Sequence, residues 1–99
     1  MAKTMYQERL DAENEFRREV RVRQAYYDLT SQSALGEDCG IPQSTLSKRF
    51  SKPENLTVAE LRKLNSSLHL DPGAVLGLLG FSKKEIRKYR ESVSVREGA

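Results

Sequence analysis

Residues 39–50 read CGIPQSTLSKRF. Gln43, Ser44, Thr45 and Ser47 make a polar run broken only by Leu46, and the basic pair Lys48-Arg49 follows before Phe50. These side chains suit nucleic-acid reading. Glutamine pairs bidentately with adenine N6 and N7, lysine reaches guanine O6 and N7, and hydroxyls serve base edges or phosphates. Leu46 and Phe50 lie one helical turn apart, with Ile41 just before them, so the stretch reads as a helix with one buried edge. Its other face either reads bases or is simply solvated.

Other chemistry finds little footing. The chain holds one His and one Cys, thirty positions apart, which is no metal-ligand set. His69 stands near the end of a predicted helix, as a capping or surface residue. No phosphate-cradling glycine loop, nucleophile elbow or acid–base pair occurs, so neither catalysis nor a cofactor is expected. The 99 residues are 37% hydrophobic and 31% charged, with a formal net charge of +3. The pI is about 9.2, compatible with a nucleic-acid partner without requiring one. A chain this short buries a modest core, so a dimer or bound partner would add stability. The polar start and the lack of an apolar run of roughly 20 residues argue against a signal peptide or a membrane span. A cytoplasmic protein without disulfides is expected.

Helices broken by turns must position the polar stretch. The first is predicted over about Tyr6 to Leu29, with Val22, Tyr26 and Leu29 as an apolar stripe and Leu10, Phe16 and Val20 as a less regular face. Acids crowd its start, bases follow, and Glu13–Arg17 and Glu19–Arg23 have ion-pair spacing. The second runs from a Thr30-Ser31 cap to Cys39, stopped by Gly40. The third begins at Ile41-Pro42, with proline in the first helical position, and ends near Ser51 because Pro53 disfavours helix at Lys52. The fourth opens with the capping box Thr57-x-x-Glu60 and buries Val58, Leu61, Leu64 and Leu68. The fifth follows Asp71-Pro72, with Val75, Leu76, Leu78 and Leu79 too apolar to stand free, and ends at Gly80. The sixth follows a second capping box, Ser82 to Glu85, and runs to about Val93, docked by Ile86 and Tyr89 and leaving VREGA to fray.

Helices two and three share one short turn. Leu35 and Leu46 face inward, position 36 must be small where the helices cross, Gly40 turns the chain, and Ile41 plugs the space beneath. The stretch SQSALGEDCGIPQSTLSKRF resembles the bipartite motif of phage-repressor-type helix-turn-helix proteins, the Cro/repressor or XRE-like family. TVAELRKLNSSLHLDPGAVLGLL is similar to the two helices that complete that family's five-helix domain. The resemblance covers about residues 18–80. It implies an all-α repressor-like domain, with residues 1–17 as a helical extension and residues 81–99 as an extra helix and tail.

The resemblance also implies roles. Gln43, Ser44, Thr45 and Lys48 take the base-reading positions. Gln32 takes the position that heads the second helix and binds a phosphate. Ser47, Arg49, Lys52, Arg62 and Lys63 are added as phosphate contacts, which set affinity rather than sequence preference. Several positions depart from the family. Gly36 replaces the usual alanine, weakening the helix by about 1 kcal/mol. Cys39 replaces leucine, as a small core residue. Pro42 stands where a polar cap is common, and the usual Glu-x-Gly loop after Phe50 is missing. The basic sixth helix, with Lys83, Lys84, Arg87, Lys88 and Arg90, is additional.

The function expected is that of a sequence-specific transcriptional regulator, a repressor of phage or mobile-element origin. It would bind a double-stranded DNA operator as a homodimer. The alternative is a phage inhibitor of a host defence nuclease, because some anti-CRISPR proteins resemble this family. There the acidic start, Glu8 to Glu19, would dock a basic surface.

Overall fold

A computed structural model describes residues 4–98, with side chains through residue 92. The described residues form six α-helices and no strand: α1 Met5–Tyr26, α2 Gln32–Cys39, α3 Gln43–Ser51, α4 Val58–Leu68, α5 Pro72–Leu78 and α6 Lys83–Gly98, with a short 3-10 turn at Pro53–Asn55. Among them, no helix is long and apolar enough to cross a membrane.

Local chemistry sets most helix ends. The Thr4 hydroxyl accepts from the Gln7 amide, and the Ser31 hydroxyl from that of Ala34. α2 stops at Gly40, whose left-handed conformation (φ 78°) returns its N–H to the Gly36 carbonyl. The Thr57–Glu60 box is complete in both directions. At the head of α6 the Ser82 hydroxyl accepts from the Glu85 amide but donates to the Glu85 carboxylate, so only half of the expected box forms. Pro42 lies one position earlier than expected. It is the residue before α3 rather than its first, and its carbonyl accepts from Leu46. α6 continues through Gly98 instead of ending at Val93.

The core gathers Phe16 and Val20 from α1, Leu35 and Cys39 from α2, Ile41 and Leu46, Leu64 and Leu68 from α4, and Leu70. Phe50, Leu56, Leu61, Val75 and Leu78 pack around it. α1 lies along α5, α2 packs on α3 and α4, and α6 packs on α5. The boundary drawn at residues 17 and 18 falls inside α1. Phe16 is fully buried on its N-terminal side, a side chain whose burial is worth about 1.5–3 kcal/mol.

Two expected core faces are corrected. Val22 and Tyr26 are 56% and 76% exposed, and the buried side of α1 is Phe16, Val20 and Gln24. Gln24 tolerates burial because its amide donates to the Leu29 carbonyl at 2.9 Å, while Leu29 N donates to the Gln24 carbonyl at 2.7 Å. That exchange ends α1 at Tyr26, three positions before Leu29, with Asp28 left-handed at φ 58°. Val58 is 61% exposed, because the first turn of α4 precedes its contact with the core. Leu79 and Tyr89 are also exposed.

Gly36 is where α2 and α3 come closest. A Cβ there would lie 2.6 Å from the Ile41 carbonyl oxygen, a backbone atom that cannot swing aside. An alanine side chain does not fit at this position without a shift of the backbone. Urea unfolding is expected to show Gly36→Ala less stable than wild type by about 1–3 kcal/mol. Gly77→Ala, at an open position of α5, is expected to gain about 0.5–1 kcal/mol. Equal gains at both positions would contradict the close approach.

Candidate nucleic-acid interface

α3 divides cleanly into two sides. Leu46 is fully buried and Phe50 half-buried, whereas Gln43, Ser44, Ser47 and Lys48 are exposed and Thr45 is half-buried. Ser44 and Lys48, one turn apart, centre the outer face. Lys52, just after α3, is exposed, Arg62 and Lys63 are exposed on α4, and Gln32 is half-buried in the first turn of α2. Among the described residues, the side chains of Gln32, Gln43, Ser44, Thr45, Ser47, Lys48, Lys52, Arg62 and Lys63 make no hydrogen bond or ion pair. Pro42 offers no side chain to cap α3. The positive end of the helix dipole therefore stands open beside Gln43.

Arg49 is the exception. Its Nε donates to Glu60 Oε1 at 2.9 Å, and the same oxygen accepts from Thr57 N at 2.9 Å. Arg49 therefore joins α3 to the cap of α4 instead of standing ready for a phosphate. Both side chains are largely covered, at 28% and 15% exposure, which makes the pair firmer than a surface ion pair. The Thr57 amide, then Arg49, hold the Glu60 carboxyl below its ordinary pKa, against the opposing effect of burial.

Arg17 was not foreseen in this role. Its Nε donates to the Phe50 carbonyl at 2.6 Å and one terminal nitrogen to that of Ser51 at 2.9 Å, while the other reaches Asn14. The last carbonyls of α3 are thus satisfied by a cation on α1, which suits the negative helix end. The expected Glu13–Arg17 pair does not form, whereas Glu19–Arg23 does, at 3.1 Å. The sequence does hold a clue. Lys52-Pro53 ends α3 without a glycine cap, so its carbonyls need an outside donor. Nothing in the spacing says which arginine supplies it. Glu19 is likewise tied across the fold, accepting from the Asp71 amide at 2.6 Å.

Cys39 sits in the core, and burial pushes its thiol pKa up, as for an inert packing residue. His69 ends α4 in the left-handed conformation beside the ring of Tyr27. The arrangement as a whole is an open polar face on a helix anchored from behind.

No family model, curated protein or solved structure shows a significant match to this chain.

Arg17→Ala is expected to lower stability by about 1–3 kcal/mol, because it strips donors from two carbonyls. Amide exchange should speed up in the last turn of α3 more than in α5. Equal protection in both would contradict the clamp. A second test uses pH. The folded Glu60 carboxyl titrates below its unfolded value, so its contribution is complete above the ordinary carboxylate range and disappears as pH falls through the depressed one. Denaturation followed across acid pH should show Glu60→Gln less stable near neutrality, with a shallower decline on acidification.

Proposed function

We propose that this chain is a sequence-specific DNA-binding regulator, a repressor of the phage or mobile-element type. In this reading α2 and α3 act as a helix-turn-helix and α3 lies in the major groove. The observation that carries the reading is the outer face of α3. Its polar side chains have no partner among the described residues, yet the helix beneath them is fixed at both ends. Polar groups held in place and left unpaired suit a partner that supplies complementary donors and acceptors.

Gln43, Ser44, Thr45 and Lys48 then meet base edges. Gln43 is matched to adenine and Lys48 to guanine. Gln32, Ser47, Lys52, Arg62 and Lys63 meet phosphates, releasing counterions and setting the register of the protein on the duplex. Arg49 leaves the phosphate set and holds the recognition helix instead. Occupying an operator that overlaps a promoter would exclude polymerase, so repression needs no further domain. An inhibitor of a defence nuclease built on the same helices would bind its target with Gln43 dispensable.

Fluorescence anisotropy on a bound duplex and on an unrelated one, at several salt concentrations, tests these assignments. Gln43→Ala and Lys48→Ala should each weaken the preferred site by about 1–3 kcal/mol and reduce the preference over unrelated DNA. Gln32→Ala should weaken both duplexes alike. Lys52→Ala should reduce the slope of log affinity against log salt by about 1. Preferred-site binding unchanged by Gln43→Ala and Lys48→Ala would overturn the recognition-helix assignment.

A further inference from the structure

The net charge of this chain is concentrated in one helix. Residues 83–92 hold five basic side chains against Glu85 and Glu91, and the remaining sequence balances twelve basic residues with twelve acidic ones. The excess of +3 therefore belongs to α6. Arg90 and half-buried Ile86, one turn apart, face the body of the protein. Arg90 donates to the Asp71 carboxylate at 2.8 Å and crosses over Gly73, where a Cβ would strike its guanidinium. At about 100° per residue, Lys83, Lys84, Arg87 and Lys88 then share an arc of roughly 140° along one flank of α6. Glu85 and Tyr89 fall outside that arc, and Glu91 lies nearly one turn beyond Lys88.

These cations are unpaired as well as clustered. All four are exposed, and among the described residues none makes an ion pair or a hydrogen bond. Lys83 and Lys84 also open the helix, at the end whose dipole disfavours positive charge. Their potential adds to that of the helix end, and an anion placed there relieves both. The flank is separate from α3. Arg17 of α1 meets the end of α3, whereas Glu19 of α1 meets Asp71, which holds Arg90. Two residues along a helix are turned by about 200°, so α3 and α6 attach to roughly opposite sides of α1.

We propose that α6 is a second nucleic-acid surface, which binds the phosphate backbone of double-stranded DNA without regard to sequence. Lysines and an arginine at helical spacing, with no fixed partner, suit a row of phosphates. A bilayer is a poor match, because Ile86 faces the body of the protein and leaves no broad apolar side to insert. An acidic protein is a weaker match, since the flank lacks the apolar anchor that centres such interfaces. The proposal goes beyond the operator reading and does not rest on it. With α3 seated on one duplex, α6 stays open to another segment, so a single chain can bridge two.

Fluorescence anisotropy with a labelled duplex of random sequence, starting at about 50 mM salt, tests the proposal. The variant Lys83→Gln/Lys84→Gln/Lys88→Gln changes exposed residues and should keep its helical circular dichroism. It should bind the random duplex at least about tenfold more weakly than wild type, with the slope of log affinity against log salt reduced by about 3. Gln43→Ala/Lys48→Ala should keep most of the random-duplex binding, and adding the three lysine changes to it should remove what is left. A lysine variant with wild-type affinity and slope overturns the proposal, as does a wild type that ignores random duplex. Polyglutamate that displaces the duplex at equal charge also overturns it, and assigns the flank to acidic protein chains. Loss of sequence preference in Gln43→Ala/Lys48→Ala concerns α3 alone, so the failure of either surface is seen separately.

Discussion

The contact between Gly36 and the Ile41 backbone governs the geometry of the rest. The Gly36 carbonyl accepts from both Gly40 N and Ile41 N, at 2.9 and 3.1 Å, so the turn closes on the position that must lack a side chain. This close crossing seats Ile41 and Leu46 in the core and fixes how α3 is rotated about its own axis. Rotation is what matters here. Turning a helix by one residue, about 100°, would bury the polar run and expose the apolar edge.

One end fixed is not enough for a nine-residue helix. The opposite end is held by two cations that reach outward from different helices. Arg17 of α1 takes the terminal carbonyls, while Arg49 of α3 takes the carboxylate that caps α4. Both interactions join helix ends, where backbone groups lack partners, so each satisfies a polar group and sets an angle at once. Glu19 with Asp71 and Gln24 with Leu29 follow the same pattern elsewhere. Among the described residues no buried side-chain nitrogen or oxygen lacks a hydrogen bond. The outer face of α3 is therefore the contrast: polar groups left unpaired where water or a ligand can reach them.

Much of this was legible from the residues. Ser31, Gly40, Thr57 with Glu60, and Pro53 act within a few positions of themselves, so helix boundaries near them could be read directly. Leu35, Ile41, Leu46, Leu64 and Leu68 have few alternatives to burial. The interior of α1 was hidden because its buried stripe ends in Gln24, a polar residue whose partner, Leu29, appears only when the turn is formed. Val22 and Tyr26 look like core in a linear reading, and only the packing of α5 shows that they face outward. The role of Arg17 lies 33 residues from its acceptor, and that acceptor is a carbonyl, which every residue has. Arg49 is an open cation in the sequence and a committed one in the fold. Side-chain type locates the candidate site, but long-range polar partners decide which of its members remain free.

A fold with a polar helix face does not by itself establish a function. The central claim is that the face selects DNA sequence, and selection from a random pool of double-stranded DNA tests it most directly. Repeated rounds with the wild-type chain, followed by sequencing, should enrich one short motif, and the same selection with Gln43→Ala should relax that motif at an adenine position while keeping the rest. A pool that stays random after selection, at salt low enough for non-specific binding to be seen, would contradict the account.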